Sequence, residues 1–164
     1  MNRYLKALTV GMAMVGTPAA SELIYLDDVA GWEVLVDRSL GDGCLIQAEY
    51  EDGSLVRIGF DLNVGEGYVT VVNDNWGYLE DGAEYEVNFD LDSEPYTGLA
   101  SVVHIADSPG VDIYFDNFDF LFHIAKKYTM TIYNDDMREV TAIDLGGTYH
   151  ALQSAMDCQD IFGF

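Results

Sequence analysis

Basic residues are scarce in this sequence: seven Lys and Arg stand against 29 Asp and Glu, for a formal charge of −22 at pH 7. Two of the seven bases, Arg3 and Lys6, lie at the very start, so five bases serve the 29 acids of the remaining chain. Such a field repels nucleic acids and anionic lipids, and it attracts cations and basic proteins. We therefore expect no nucleic-acid partner. Solubility, or a salty medium that screens the repulsion, is the favoured explanation of the charge, and a basic or cationic partner is the alternative.

Long apolar runs are also absent, and nothing in the chain approaches the roughly 20 residues that a membrane-spanning helix needs. The apolar run Ala7–Gly16 is short, follows two basic residues and precedes the small residues of Thr17–Ser21. This order is typical of a secretory signal peptide. We predict a signal peptide over residues 1–20 and one β-rich domain over 21–164, periplasmic or extracellular, without a membrane span. A disordered or buried N-terminal segment is the alternative.

Cysteine is limited to Cys44 and Cys158. In an exported protein a disulfide is the default state of such a pair. Both local patterns predict burial, because Cys44 shares its side of a strand with Ile46 and Cys158 shares its side of a helix with Ala155. We predict one disulfide between an early strand and the last helix. The alternative is a catalytic thiol, but neither cysteine has a histidine next to it in sequence.

The chain has only three prolines, whereas sixteen glycines separate short runs of alternating apolar and polar residues. The clearest run is Glu84–Asp92, whose unbroken alternation predicts a strand with one face on a core and one in water. Strands are predicted over Trp32–Asp37, Cys44–Tyr50, Leu55–Leu62, Gly67–Val72, Glu84–Asp92, Leu99–Ala106, Val111–Phe115, Tyr128–Tyr133 and Arg138–Leu145. Short strands at this spacing are typical of an antiparallel β-sandwich or open barrel. The fold class is therefore mainly β (α+β).

Two helices complete the predicted fold, one internal and one C-terminal, both covering the sheet. Phe118–Lys127 has apolar residues at helical spacing, with Asp116 as the predicted cap. A strand is the alternative reading of that segment. Thr148 is the predicted N-cap of the last helix, which carries an apolar stripe.

The three histidines, His104, His123 and His150, lie on different predicted elements and share no motif. We therefore predict no metal site from them. His150, Ser154 and Asp157 share one helix face and contain the side-chain types of a catalytic triad. A triad needs a buried acid and a preformed oxyanion hole, which an exposed helix face does not supply. A solvated helix face is the favoured interpretation, and no catalytic residue is assigned.

Acidic residues also alternate in a way that superficially suggests a calcium loop. Asp90, Asp92 and Glu94 have the spacing of the first EF-hand ligands. Pro95 stands where that loop needs glycine, and Ser101 stands where it needs glutamate. An EF-hand is therefore excluded. The sequence implies no cofactor beyond weak Ca²⁺ binding at acidic loops.

A contact surface is predicted from the aromatic residues and the acids. Trp76 and Tyr78 flank Gly77 in a predicted loop and are candidates for exposed contacts, although core packing is the more common use of such residues. The polar face of the clearest strand adds four candidate binding residues, namely Glu84, Glu86, Asp90 and Asp92. A basic protein or a cation is the predicted partner of this acidic face.

A spaced skeleton of glycines, aromatics and cysteines runs through most of the chain after residue 20. It consists of Gly31-Trp32, Cys44, Gly82-x-x-Tyr85-x-Val87-x-Phe89, and Leu145-Gly146-Gly147-Thr148-x-x-Ala151-Leu152 ending at Cys158. This skeleton resembles that of small exported proteins of Gram-negative bacteria with no assigned activity. The resemblance implies a β-rich domain with an early-strand to last-helix disulfide, and it implies no catalytic residue.

The residues support two functional hypotheses. The first is a non-catalytic exported binding domain, stabilised by one disulfide, whose acidic face binds a basic protein or a cation. The second is an exported hydrolase of polysaccharide or peptide, which requires a pocket in which a histidine and an acid converge. A structural protein of the cell envelope is not distinguished from the first hypothesis by the sequence.

Overall fold

In a computed structural model that describes residues 22–162, the chain forms a ten-stranded antiparallel sheet and two α-helices. The strands are β1 (Leu23–Val29), β2 (Trp32–Asp37), β3 (Gly43–Glu49), β4 (Leu55–Asp61), β5 (Glu66–Val72), β6 (Glu84–Leu91), β7 (Glu94–Ile105), β8 (Ser108–Phe115), β9 (Thr129–Tyr133) and β10 (Glu139–Asp144). The helices are α1 (Phe118–Ala125) and α2 (Thr148–Phe162). The predicted signal peptide lies outside the described residues.

The sheet curls so that its two ends approach each other. The strand order is β1-β2-β3-β4-β5-β8-β7-β6-β9-β10, so β1 and β10 are the terminal strands. The indole N–H of Trp32 donates to the carbonyl oxygen of Gly146 at 3.0 Å, and the hydroxyl of Tyr50 donates to that of Asp144 at 2.6 Å. These contacts join the β2–β3 end of the sheet to the chain at the end of β10. The predicted mainly β, antiparallel fold with a C-terminal helix is confirmed.

The core lies on the concave side of the sheet, under both helices. Its largest fully buried side chains include Phe60, Phe89 and Leu121, which come from β4, β6 and α1. The period-two alternation of the strands places Phe60 and Phe89 on that face, since successive residues of a strand point to opposite sides, and Leu121 packs onto it from α1. A smaller apolar cluster of Leu35, Leu45 and Tyr68 lies on the other face.

Two strand predictions were incomplete. β1 was missed because Leu23–Val29 reads LIYLDDV, which neither alternates cleanly nor has a buried face. β7 begins at Glu94 rather than Leu99, although Pro95 and Gly98 argue against a strand. Pro95 is tolerated because it pairs only with Asp90 of β6, while the pairing of β7 with β8 starts at Ala100. The missing N–H of the proline therefore leaves no gap in the β7–β8 ladder.

Both helices are confirmed, but both predicted caps are wrong. The N-cap of α1 is Asn117 rather than Asp116, because the Asn117 side chain accepts the Asp119 N–H at 2.8 Å. Thr148 is the first residue of α2, and its buried hydroxyl has no hydrogen-bond partner among the described residues. The sharp turn at Gly147 (φ 80°) packs against Ala30 and starts the helix there. Within residues 22–162, neither helix is long and apolar enough to cross a membrane.

The predicted disulfide joins Cys44 of β3 to Cys158 of α2 and is confirmed. Both residues are buried in the main core. The next residue of the helix, Gln159, accepts the Cys44 backbone N–H through its side-chain oxygen at 2.9 Å. A covalent bond and a buried hydrogen bond thus hold α2 at the same point of the sheet.

Candidate binding cleft

The sheet has a gap in its pairing beside β6. β6 pairs with β7 along its whole length, from Glu84 to Leu91. Its pairing with β9 covers only Asn88 to Leu91, since Asn88 lies opposite Tyr133 at the end of β9. Among the described residues, no strand pairs with residues 84–87 on the β9 side. The first half of β6 is therefore an exposed strand edge within the sheet.

A cleft opens beside this exposed edge, and we name it the β6 cleft. Its volume of about 560 Å³ is typical of small-ligand sites. Its walls are the apolar or aromatic side chains of Trp76, Leu79, Tyr85, Val87, Val111, Ile132 and Val140. Its polar lining consists of Glu86, Tyr133, Asn134, Asp135 and Asp136. We call the three exposed carboxylates, Glu86, Asp135 and Asp136, the rim acids.

The apolar side of β6 lines the cleft at the point where the strand extends beyond the core. Phe89 is 1% exposed and lies inside, whereas Tyr85, four residues earlier on the same side of the strand, is 41% exposed. Val87 lies between them and is half-buried. The alternating pattern continues beyond the point at which the core ends, so it leaves apolar side chains facing an open space.

Short polar turns hold the two sides of the cleft. On one side, Asn73 is buried, donates to the Ser54 hydroxyl at 2.9 Å and accepts the Asn75 N–H at 2.8 Å, which fixes the turn that carries Trp76. On the other side, the Asn134 side chain accepts the backbone N–H groups of Asp136 at 3.1 Å and Arg138 at 2.9 Å. Arg138 does not line the cleft.

The candidate contact residues occupy different positions around this site. Trp76 and Glu86 line the cleft, and Trp76 is half-buried against the core. Tyr78 is 90% exposed and does not line the cleft. Glu84 is exposed at the start of β6, on the same side of the strand as Glu86.

The remaining candidate acids are engaged within the protein. Asp90 accepts a hydrogen bond from the Tyr133 hydroxyl at 3.1 Å. Asp92 accepts the backbone N–H of Tyr128 and that of Thr129, each at 3.0 Å, and so fixes the start of β9. These contacts give both carboxylates structural roles beside β9 rather than in the cleft.

The acids that resembled a calcium loop are dispersed among other partners. Glu94 pairs with Lys127 at 2.9 Å, and the hydrogen bond from this ammonium, with that from Tyr96, lowers the pKa of Glu94. Asp90 and Asp92 make the separate contacts described above. Within residues 22–162, no group of three or more His, Cys, Asp or Glu side chains is placed to hold a metal ion.

Sequence reasoning missed the side of the cleft that β9 and the β9–β10 turn provide. The sequence analysis places Ile132 and Tyr133 in a strand and predicts no binding role for them or for residues 134–136. The local signal was an acidic turn directly after an aromatic residue. This pattern does not indicate a binding site unless it is known that β9 pairs with β6.

Most carboxylates of the protein lack a basic partner. Within residues 22–162, which contain all 29 acids, the ion pair is Lys127–Glu94 at 2.9 Å, and the histidine–carboxylate contacts are His104–Asp81 at 2.7 Å and His123–Glu94 at 4.0 Å. None of these involves a rim acid. The rim acids therefore form no ion pair within residues 22–162.

The three histidines lie apart. His104 pairs with Asp81, and His150 is exposed on α2, where Ser154 donates to the backbone oxygen of His150 at 3.4 Å and Asp157 is also exposed. His123 lines a second cavity of about 530 Å³ that is also lined by Asp116 and Asp119. The hydrolase hypothesis stays a prediction, and this cavity has both a histidine and acids in its lining.

His123 is held by its aromatic surroundings. Its Nε2 lies 2.9 Å from the Tyr96 hydroxyl oxygen, and its ring stacks on Phe120 with the centroids 5.6 Å apart. Tyr96 in turn stacks on Phe89 at 5.4 Å. These contacts make the histidine part of an aromatic cluster that joins α1 to the sheet.

A polar cluster occupies the outer face of the sheet, away from the cleft. Arg57 donates to Gln47 at 2.8 Å, and Gln47 donates to Glu33 at 3.0 Å, along a row of residues in register on β4, β3 and β2. In the same row, Thr70 donates to Asp112. Burial raises the pKa of Asp112, although the Thr70 hydrogen bond and Arg57 act against the rise.

We expect the stability effect of Asp112→Asn to depend on pH. Because the pKa of Asp112 is raised in the folded protein, its protonation favours folding. This contribution is fully present below the ordinary pKa of about 3.9 and is lost as the pH rises through the folded-state pKa. The free energy of unfolding of the variant minus that of the wild type should therefore decrease as the pH falls from neutral to about 3. Urea unfolding across this range measures the difference, and a constant or growing difference would contradict the assignment.

Comparison with known proteins shows the fold. No family model and no curated protein matches the chain. Among solved structures, the chain is similar to the crystal structure of invasion-associated protein B from Bartonella henselae, with a TM-score of 0.59 and 10% sequence identity. The alignment covers 84% of this chain and 99% of that chain. The likeness at this identity is one of fold alone, so the resemblance of the sequence skeleton to small exported proteins stays a prediction.

Proposed function

We propose that this protein is an exported, non-catalytic binding domain whose acidic surface binds a basic protein at the β6 cleft. The observation that carries the proposal is the combination of an apolar cleft with rim acids that form no ion pair among the described residues. Apolar walls supply contact area, and unpaired carboxylates select a partner of positive charge and accelerate its approach.

Export is supported by the cross-link and by the predicted signal peptide. Disulfides persist in oxidising compartments such as the periplasm and the extracellular space. The Cys44–Cys158 bond is buried in the core and joins two elements that are distant in sequence. Such a bond is consistent with a structural role in that environment.

The test measures binding of a small basic protein, and of an acidic protein of similar size, at about 0.05 M and about 0.5 M salt. We expect the basic protein to bind at low salt and to bind about tenfold more weakly at high salt, because salt screens exposed charges. The acidic protein should not bind. Absence of binding at low salt, or binding that ignores salt, would contradict the proposal.

A pair of charge variants locates the contact site. The first neutralises the rim acids as Glu86→Gln, Asp135→Asn and Asp136→Asn. The second neutralises three exposed acids that do not line the cleft, as Asp107→Asn, Asp157→Asn and Asp160→Asn. Both remove the same charge, so a larger loss of binding in the first variant assigns the contact to the cleft, and equal losses would place it elsewhere.

A further inference from the structure

We infer that the exposed half of the β6 edge accepts an extended basic segment of the partner, which pairs with β6 as an added strand. The inference rests on the proposed function and adds the conformation and side-chain pattern of the bound segment. The argument uses the backbone direction of β6, the two faces of the strand and the charge at its edge.

The peptide groups of two β6 residues point into the gap. The backbone N–H of Val102 donates to the carbonyl of Ala83 at 2.8 Å, so this pair is hydrogen-bonded across the β6–β7 ladder. Hydrogen-bonded and non-hydrogen-bonded pairs alternate along an antiparallel ladder. The N–H and C=O groups of Glu84 and Glu86 therefore point away from β7, to the side on which no described strand pairs with them. They are free to bind another backbone.

The two faces of β6 specify the side chains of an added strand. One face carries Tyr85 and Val87, which line the apolar walls of the cleft. The other face carries Glu84 and Glu86, which are exposed. Neighbouring residues of paired strands interact on the same face of a sheet. A segment that alternates apolar residues with Lys or Arg would place its apolar side chains in the cleft and its cations beside the glutamates.

The charge of this edge argues against a second copy of the chain as the occupant. Charged side chains on an exposed edge keep sheets from pairing with one another. Two copies that met along this edge would each bring Glu84 and Glu86 to the contact, with no base among the residues that line the cleft. A basic segment meets the same edge with opposite charge. Strand addition of this kind is a common mode of peptide recognition.

The experiment compares synthetic peptides of equal length and charge. The first alternates Lys and Val, the second has the same composition with the Lys and Val residues in separate blocks, and the third is an amphipathic helix-forming peptide. We expect the alternating peptide to bind about tenfold more tightly than either of the others. Only this peptide can pair with the β6 backbone while it places apolar side chains in the cleft and cations beside Glu84 and Glu86. Equal binding of the helical peptide would overturn strand addition.

Proline at position 86 tests the backbone contact directly. Glu86→Pro removes an outward N–H and leaves the β7 ladder intact, and prolines are tolerated at such edge positions. Glu86→Ala removes the same charge but keeps the N–H, so it is the matched control. We expect the proline variant to bind the alternating peptide about three- to tenfold more weakly than the alanine variant. Glu84→Pro and Glu84→Ala repeat the comparison if the first proline variant does not fold.

The outcomes separate this inference from the proposed function. Equal binding by the folded proline and alanine variants would overturn strand addition, while salt-dependent binding of the basic protein would still support the proposed function. Failure of the basic protein to bind would contradict both the proposed function and strand addition. Dimerisation of the purified protein that Glu86→Pro abolishes, measured by sedimentation, would identify a second copy as the occupant and overturn the inference.

Discussion

Replacement of both Cys44 and Cys158 by alanine is expected to lower the free energy of unfolding by about 5 kcal/mol, measured by urea unfolding. The bond closes a loop with a sequence separation of 114 residues. In the loop-entropy model, a long loop gains much stability because the cross-link restricts the unfolded chain. Domains of ordinary stability unfold with about 5–15 kcal/mol, so the expected loss is large enough to unfold a weakly stable one.

The reduced wild-type protein is the control for this prediction. It keeps both sulfur atoms in the core and loses only the covalent bond, whereas the double alanine variant also removes buried atoms. We expect the reduced protein to lose most of the stability that the variant loses. If the variant and the wild type had the same urea midpoint, the prediction would be wrong. The hydrogen bond from the Cys44 N–H to Gln159 and the packing of α2 would then hold the helix in place without the cross-link.

Phe89→Ala is expected to lower the free energy of unfolding by about 3–5 kcal/mol, the range for a large aromatic side chain removed from a packed core. Phe89 is 1% exposed, stacks on Tyr96 at 5.4 Å and contacts Phe115 edge-to-face at 6.3 Å. The substitution leaves a cavity where β6 packs against side chains of β7 and β8. Chemical denaturation followed by tryptophan fluorescence measures the loss.

Tyr85→Ala is the matched control, because Tyr85 lies on the same side of the same strand and is 41% exposed. We expect it to cost less than about 1 kcal/mol of stability. Its effect should instead appear as weaker binding of the alternating peptide, since Tyr85 forms part of the cleft wall. Similar stability losses for both variants would mean that the first half of β6 is packed as firmly as the second.

The β6 cleft results from two neighbouring strands of unequal length. β7 runs beside all of β6, while β9 stops opposite Asn88. The hairpin that follows β9 turns back at Asn134 and places Asp135 and Asp136 at the end of the gap. The end of the β6–β9 pairing therefore leaves the edge of β6 exposed beside the apolar lining of the cleft. It also places two of the rim acids there.

Local sequence pattern selected two of the residues that line this cleft. Trp76 and Glu86 could be selected because a loop aromatic and the polar side of an alternating strand are visible in the sequence. Asp90 and Asp92 have the same pattern as Glu86, yet they bind Tyr133 and the N–H groups of residues 128 and 129. The difference is whether β9 lies beside them, and that pairing joins segments about forty residues apart.

The amino-acid order alone was sufficient for the elements that depend on neighbouring residues. Alternation specified β6, helical spacing specified α1 and α2, and the apolar surroundings of Cys44 and Cys158 indicated their burial and bond. Tertiary structure decided the strand order, the turn at Gly147 that packs against Ala30, and the gap beside β6. Periodicity reports which face of an element is buried. It does not report which distant strand pairs with that element or how far the pairing extends, and the cleft depends on both.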